Sequence, residues 1–262
     1  SGIFNVLEEV EPQENTNPIW LEIPDSRLAD SLYDWSSQGG APGVLKTNGI
    51  YAFSGAAFDT KRNRLLIHGG GHGDYGGQEV YAFDVDTFNW SLIAPPDRKA
   101  ALRETDCTVP EQENYGRRTA NNFPKSVHTY DRLVYVEQLD ALLDGRGSVA
   151  LRECRGPNKE AALWNFETNK WEWWSEDLPH SDDSPYPAQY AFGGVGAAAA
   201  VHPLSKEIWF VPQSDGGRLT RWNPTTGDWA QGRVDNHAYS TRSKVAVIDT
   251  ARNNLIVGIA GS

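Results

Sequence analysis

The sequence predicts an all-β protein assembled from repeated four-stranded units, and three observations support this prediction. The 262-residue chain contains 25 Gly, 15 Pro, 10 Trp and 10 Tyr, a composition that favours short strands joined by turns over long helices. One hairpin pattern occurs three times along the chain, and a second occurs at least twice. The length is sufficient for one large β domain or two small domains.

The first pattern consists of an aromatic residue, a polar turn containing Thr, and a Trp. It occurs at Phe83–Trp90, Trp164–Trp171 and Trp222–Trp229. A strand that ends at the first aromatic residue, a tight polar turn and a second strand that starts near the Trp make a β-hairpin. The three copies therefore predict three equivalent hairpins.

The second pattern occurs at Gly55–His68 and Lys244–Val257, which share the turn sequence Asp-Thr-x-Arg-Asn. Looser copies lie at 130–143 and 196–211 and contain short apolar runs typical of buried strands. Two hairpins make a four-stranded unit. Such a unit, repeated at intervals of roughly 45 to 80 residues, is typical of the blade of a β-propeller.

The residues of the first unit resemble a known repeat. Gly69–Gly71 after a strand, then Glu79–Asp84 and Trp90, resemble a kelch repeat of the galactose-oxidase-like propellers. The stretch His68–Tyr75, which reads His-Gly-Gly-Gly-His-Gly-Asp-Tyr, is similar to a motif of uncharacterised bacterial and phage kelch-like proteins. The resemblance covers roughly residues 18–262. It implies a kelch-type propeller, and such propellers typically have six or seven blades.

The predicted propeller spans residues 17–262 and follows an acidic N-terminal extension, 1–16. The predicted parts are three blades, the first hairpin of a fourth, and a closing outer strand that contains Trp20: 50–93, 126–175, 190–231, 239–262 and 17–24. The chain is therefore expected to be an incomplete part of a six- or seven-bladed ring, completed by missing C-terminal blades. A closed four-bladed ring and completion by a second chain are the alternatives.

The charge of the chain restricts its partners. The 35 acidic residues exceed the 24 Lys and Arg, which gives a formal net charge of −11. Such a field repels nucleic acid and anionic membrane surfaces. No stretch approaches the roughly 18 consecutive apolar residues of a membrane span. The expected partner is a carbohydrate or another protein.

Two cysteines, Cys107 and Cys154, lie outside any CxxC pattern in polar, turn-rich stretches. Such surroundings do not suit a buried free thiol, so one disulfide is predicted. A disulfide implies an oxidising compartment, hence an extracellular, surface-exposed or periplasmic location. The alternative is two unrelated thiols in a cytosolic protein.

Propeller ligands usually bind where loops from several blades converge at one mouth of the axial channel. Residues just before each innermost strand, or just after the second strand, are therefore candidates. The predicted ligand-binding residues are Tyr51, His72, Asp74, Tyr75, Arg118 and Tyr190. Arg118 lies in a modestly positive linker between the first two predicted blades. This linker either binds an anionic sugar or is simply a solvated loop. His180 and His202 are expected to face solvent.

Five residues at this mouth suit proton abstraction: His128, Tyr130, His237, Tyr239 and Arg242. A Tyr or His can remove the α-proton of a uronic acid while Arg neutralises its carboxylate, as in a β-eliminating polysaccharide lyase. The analogy is at the level of the fold. The alternative is that these side chains plug the channel and satisfy backbone groups.

His68, His72 and Asp74 are weak candidates for a metal site. The glycines between them exclude the helical face that makes other metal motifs specific. The alternative is that His68 ends a buried strand and binds backbone. Calcium held by loop carboxylates and carbonyls is a further alternative, and no cofactor is required.

The leading functional hypothesis is a secreted or surface-displayed propeller that interacts with glycans. The first alternative is a polysaccharide-active enzyme, and whether the protein is an enzyme stays open. The second alternative is a structural or adhesive component of a phage particle or a cell-surface fibre.

Overall fold

The computed structural model describes residues 22–35, 50, 54–70, 77–96, 123–124, 127–145, 161–174, 197–211, 218–233 and 244–259. These residues form an all-β structure with two short 3-10 turns, Leu28–Ser31 and Glu137–Leu139. Within these ranges no helix has the length and apolar character needed to cross a bilayer.

The described strands form three four-stranded antiparallel sheets and one hairpin. In each sheet the strands lie side by side in chain order. The first sheet comprises β1 (Gly55–Asp59), β2 (Arg64–His68), β3 (Val80–Asp84) and β4 (Asn89–Ala94). The second comprises β5 (Leu133–Val136), β6 (Ala141–Asp144), β7 (Ala161–Asn165) and β8 (Lys170–Trp174). The third comprises β9 (Ala198–Val201), β10 (Ile208–Val211), β11 (Arg218–Trp222) and β12 (Trp229–Arg233). The hairpin comprises β13 (Lys244–Asp249) and β14 (Asn254–Ile259).

The three outer hairpins are confirmed, because the two aromatic residues of each pattern are direct cross-strand partners. The pairs are Phe83 with Trp90, Trp164 with Trp171, and Trp222 with Trp229. Their ring centroids lie 5.1, 5.5 and 5.7 Å apart. Contact between paired aromatic rings stabilises antiparallel strands, so these pairs fix the register of each hairpin.

The shared Asp-Thr-x-Arg-Asn turns also have one geometry. The Asp59 carboxylate accepts hydrogen bonds from the backbone N–H groups two and three residues later, and the Asp249 carboxylate does the same. Asn63 and Asn253 are left-handed, with φ of 51° and 54°. Asp supplies the turn hydrogen bonds, and Asn tolerates positive φ better than most residues.

The sheets stack face to face in chain order. Leu66 of the first sheet packs with Tyr135 and Leu142 of the second. The opposite face of the second sheet, which includes Leu143, packs against Phe210 of the third. Complete burial of each leucine stabilises the fold by roughly 1.5–3 kcal/mol. Along the inner edge β5 lies beside both β1 and β9, and β9 lies beside β13.

The segment 22–35 packs against part of the remaining face of the first sheet. Leu28 packs with Tyr81, and the Tyr81 hydroxyl accepts a hydrogen bond of 2.9 Å from the Tyr33 N–H. The Trp90 indole donates to the Ser26 carbonyl over 3.0 Å. The predicted closing strand, 17–24, falls largely outside the described residues, as does the extension 1–16. The described sheets form an open array and do not close into a ring.

Candidate functional site

The candidate site lies where β1, β5, β9 and β13 begin, which we call the strand-start end. In the first sheet Gly55 pairs with His68, so β1 begins where β2 ends. In the second sheet Leu133 pairs with Asp144 in the same manner. Residues before an inner strand and after a second strand therefore meet at one end of the array, as the sequence predicts.

The segment 127–132, which leads into β5, is held by hydrogen bonds to backbone groups of the first sheet and of the glycine that follows it. The Gly55 N–H donates to Thr129 Oγ1 over 2.7 Å, and this hydroxyl donates to the His68 carbonyl over 3.2 Å. The Gly70 N–H donates to the Val127 carbonyl over 2.8 Å. Gly69 has a φ of 70°, and a Cβ there would lie 2.7 Å from that same carbonyl oxygen. The first sheet therefore fixes the position of the segment.

Tyr130 has an unusual backbone conformation for a bulky residue, with a φ of 43°. It lies in a tight turn closed by a 2.9 Å hydrogen bond from the Arg132 N–H to the Thr129 carbonyl. The left-handed conformation costs a non-glycine residue roughly 1–2 kcal/mol. The surrounding hydrogen bonds maintain this conformation, and strain of this kind clusters at functional sites.

The Tyr130 ring contacts the His128 ring edge to face, with centroids 5.7 Å apart and planes at 85°. Both residues are partly exposed. Burial raises the pKa of the Tyr130 phenol above its ordinary value, and the nearby Arg132 charge opposes this shift. The hydroxyl is therefore neutral at neutral pH, able both to donate and to accept a hydrogen bond.

Beneath this segment three charged or polar side chains are buried between the first and second sheets: His68, Arg132 and Asp144. Asp144 Oδ2 lies 3.6 Å from His68 Nε2, and Asp144 Oδ1 lies 3.8 Å from Arg132 Nη2. The same Arg132 nitrogen donates to the His128 carbonyl. Buried charges need partners of opposite sign, and Arg132 lies close to Asp144. The hydrogen bond from Arg132 to the His128 carbonyl links this buried group to the partly exposed His128–Tyr130 pair.

His68 ends a buried strand and binds backbone, which is the structural alternative to metal binding named above. Its Nδ1 donates to the Glu79 carbonyl over 3.0 Å, and its ring packs at 4.8 Å from the Trp171 ring. No cluster of three or more His, Cys, Asp and Glu suited to a metal ion occurs in the described part of the chain. His72 and Asp74 lie outside it, so the metal hypothesis stays a prediction.

Of the five residues predicted for proton abstraction, the structure describes two, His128 and Tyr130, and it brings them together. The other predicted site residues lie outside the described residues: Tyr51, His72, Asp74, Tyr75, Arg118, Tyr190, His237, Tyr239 and Arg242. Cys107 and Cys154 also lie outside them, so the disulfide stays a prediction.

Sequence reasoning missed two further charged residues at the strand-start end. Asp131 accepts hydrogen bonds of 2.8 Å from the Ala199 N–H, through its carbonyl, and from the Ala246 N–H, through its carboxylate. Burial raises the pKa of Asp131. Lys244 is buried at the start of β13, and burial lowers its pKa. Their only sequence signal is a charge next to an apolar strand.

The expectation that His202 faces solvent is wrong. His202 is buried, and its Nδ1 accepts hydrogen bonds from the backbone N–H groups of Leu204 and Ser205. Its Nε2 therefore carries the proton and donates to Asn253 Oδ1 over 2.7 Å. A residue in a turn becomes buried here because the turn packs against the neighbouring hairpin.

No protein-family model matches the sequence, and no curated protein matches it. Among solved structures, the chain is similar to an auxiliary nutrient binding protein from Bacteroides ovatus, with 12% identity and a TM-score of 0.43 over 81% of this chain and 37% of that one. It is similar to another from Bacteroides thetaiotaomicron, with 12% identity and a TM-score of 0.43 over 78% of this chain and 35% of that one. The chain thus spans little more than a third of their length. A likeness of this degree says nothing about function, which must be inferred from the strand-start end itself.

Proposed function

We propose that the chain is part of a kelch-type β-propeller of six or seven blades that binds glycans at its strand-start end. Four-stranded antiparallel sheets that stack face to face, with their first strands side by side, support a propeller. The observation that carries the binding proposal is the Tyr130 ring, held in a left-handed turn beside His128.

This arrangement suits a sugar for two reasons. The Tyr130 ring offers a flat apolar face for the apolar face of a pyranose, its neutral hydroxyl offers hydrogen bonds to sugar hydroxyls, and the His128 ring supports it from the side. The hydrogen bonds from the first sheet fix the segment before any ligand arrives. Preorganisation reduces the entropy lost on binding.

The same observations rank the lyase alternative second. A tyrosine that abstracts a proton must act as a phenolate, and burial raises the pKa of Tyr130. Tyr130 therefore suits hydrogen bonding better than proton abstraction at neutral pH. A lyase would need the side chains of His237, Tyr239 and Arg242 to converge with those of His128 and Tyr130 around one substrate. A structural or adhesive protein would instead bury the strand-start end against a neighbouring subunit.

The proposed location is extracellular or surface-exposed, or the periplasm in a bacterium with two membranes. This part of the proposal rests on the predicted Cys107–Cys154 disulfide. Ring completion, by further blades of the chain or by a second chain, belongs to the same proposal.

Affinity electrophoresis in gels that contain a polysaccharide tests the binding function. The probes are two neutral polymers, galactomannan and xylan, and two acidic ones, polygalacturonate and alginate. We expect at least one polymer to retard the protein. Tyr130→Asn, which removes the ring but keeps a residue that tolerates positive φ, should weaken binding by about tenfold or more, as loss of a central aromatic contact does.

Phe88→Asn is the matched control, since Phe88 is also an exposed aromatic residue with positive φ, at 58°, in an outer turn. It should leave retardation unchanged. Unaltered migration of the parent protein in all four gels, or equal retardation of Tyr130→Asn, would overturn the proposal. Release of unsaturated uronate from an acidic polymer, abolished by Tyr130→Phe, would favour the lyase.

A further inference from the structure

Thr129 is buried at the point where the first sheet meets the turn that carries Tyr130, and it is 0% exposed. Its Oγ1 accepts a hydrogen bond of 2.7 Å from the Gly55 N–H and donates one of 3.2 Å to the His68 carbonyl. Gly55 and His68 are cross-strand partners at the strand-start end of the β1–β2 hairpin. The Thr129 hydroxyl therefore satisfies one backbone group of each strand.

The chemistry of this position requires a hydroxyl. Gly55 supplies a donor and His68 an acceptor, so a single atom between them must accept and donate at once. Ser and Thr are the short side chains whose oxygen does both. The methyl group of Thr129 restrains the side chain further, because β-branching restricts χ1 and a Cβ on Gly69 would lie 2.9 Å from Thr129 Cγ2. Thr129 is thus both hydrogen-bonded and sterically confined.

The two neighbours of Tyr130 are anchored to different sheets. Asp131, which follows it, accepts a 2.8 Å hydrogen bond from the Ala199 N–H of the third sheet through its backbone carbonyl. Any residue can supply a carbonyl, whereas the anchor on the first sheet depends on the hydroxyl of Thr129. The Thr129 carbonyl also accepts the hydrogen bond from the Arg132 N–H that closes the turn. One side chain therefore joins the first sheet to the turn that holds the Tyr130 ring.

We propose that Thr129 is a positioning residue of the glycan site. Its hydroxyl fixes the place of the Tyr130 ring relative to the first sheet, and the ring, not Thr129, contacts the sugar. This inference rests on the proposed glycan function. Because coupling between two events is reciprocal, a sugar bound on the Tyr130 ring should slow hydrogen exchange at the Gly55 amide, whose partner is the Thr129 hydroxyl.

The chemical shifts of the His128 ring protons report the position of the Tyr130 ring without any ligand, because the two rings lie edge to face with centroids 5.7 Å apart. The Tyr130→Asn protein gives the shifts expected when the ring is absent. We expect Thr129→Val, which keeps the shape of the side chain and removes the hydroxyl, to move the His128 shifts toward those of Tyr130→Asn. Thr129→Ser, which keeps the hydroxyl, should leave them close to the parent values.

Two further variants separate this effect from a loss of folding. Thr129→Ala leaves space for a water molecule that can bind the Gly55 N–H and the His68 carbonyl, so the fold is kept while the hydroxyl is removed. It should displace the ring as Thr129→Val does. Thr220→Val is the matched control, since Thr220 is a buried threonine of β11 in the third sheet, 4% exposed. It should not change the His128 shifts.

Affinity electrophoresis with a polymer that retards the parent protein supplies the second measurement. Thr129→Val should weaken binding by about tenfold, because the central aromatic ring is no longer held in place before the sugar arrives. Thr129→Ser and Thr220→Val should bind as the parent protein does.

Displaced His128 shifts and weakened binding in Thr129→Val and Thr129→Ala, with parent values in Thr129→Ser, would support the positioning role. Parent shifts in Thr129→Val and Thr129→Ala would overturn it, and so would a Thr129→Ser protein as displaced as Thr129→Val. Displaced shifts with unchanged retardation would overturn the link to binding. If no polymer retards the parent protein, the glycan function fails, while the His128 shifts still decide whether Thr129 places the ring.

Discussion

The Arg62 guanidinium and the Asp140 carboxylate form two parallel hydrogen bonds of 2.7 Å each, from Nη1 to Oδ1 and from Nη2 to Oδ2. Arg62 belongs to the inner turn of the first sheet, and Asp140 belongs to the inner turn of the second. The Phe166 ring lies against the guanidinium at 4.8 Å. A bidentate pair in this geometry is stronger than an ordinary surface ion pair, so it fastens the two sheets at the end opposite the candidate site.

Replacement of Asp140 by Asn should destabilise the protein at neutral pH. Hydrogen bonds from Arg62, then from Lys61 and Tyr135, hold the pKa of the Asp140 carboxyl well below its usual range. A carboxyl whose pKa falls on folding contributes stability above its ordinary pKa of about 3.9, and this stability is lost as pH falls through the folded value. Asp140→Asn, which tolerates the φ of 45° at this position, should cost about 1.5–3 kcal/mol at pH 7. Urea unfolding measures the difference, which should shrink below about pH 4.

Asp30→Asn is the control for this prediction, because Asp30 pairs with Arg27 on the open surface. Loss of an exposed pair costs less than about 1 kcal/mol. If both substitutions lowered the free energy of unfolding equally, the bidentate geometry between the two sheets would contribute no extra stability.

The turns were predictable from sequence, but the contact between them was not. Asp59 and Asn63 act within their own turn, so a local pattern repeated at Asp249 and Asn253 is sufficient to find them. Asp140 lies in a turn with a different sequence, and its partner is 78 residues away. Only the packing of one sheet on the next brings the two together.

Gly55→Ala should distort the candidate site. A Cβ on Gly55 would overlap the carbonyl oxygen of Tyr130, which is backbone and cannot move aside without shifting the turn. Such overpacking typically costs 1–3 kcal/mol, hence about that loss here. Urea unfolding reports the loss of stability, and the near-ultraviolet circular dichroism of the aromatic residues reports the displaced ring.

Gly227→Asn is the control, and it tests whether replacement of any glycine destabilises the protein to this extent. Gly227 has a φ of 78°, and nothing lies within 4 Å of a Cβ placed there. Since Asn tolerates the left-handed region, the cost should stay below about 1 kcal/mol. If Gly55→Ala were as mild as Gly227→Asn, the close approach to Tyr130 would not constrain the site.

The exposed half of the site could be predicted and the buried half could not. His128 and Tyr130 directly precede an apolar strand, and polar or aromatic residues at that position indicate a loop at the mouth of the array. Arg132 directly precedes the β5–β6 hairpin and Asp144 is its last residue, so both lie at the open end of one apolar hairpin. Charges at such positions usually face water. Their burial follows from the first sheet, which closes over them.

Asp131→Asn should stabilise the protein at neutral pH, opposite in sign to Asp140→Asn. Burial raises the pKa of Asp131, and the hydrogen bond from the Ala246 N–H only partly opposes this. An acid whose pKa rises on folding binds its proton more tightly in the native state, so stability falls as pH rises from about 3.9 through the raised value. An Asn at this position keeps an oxygen for Ala246 and carries no charge. Its urea midpoint should therefore exceed that of the parent at pH 7 and match it near pH 3, below the ordinary pKa of about 3.9.

Asp131→Ala, which removes the acceptor, should instead lower the midpoint at both pH values and speed hydrogen exchange at the Ala246 amide. A lower midpoint for Asp131→Asn at pH 7 would mean that the charge itself stabilises the junction between β13 and the second sheet.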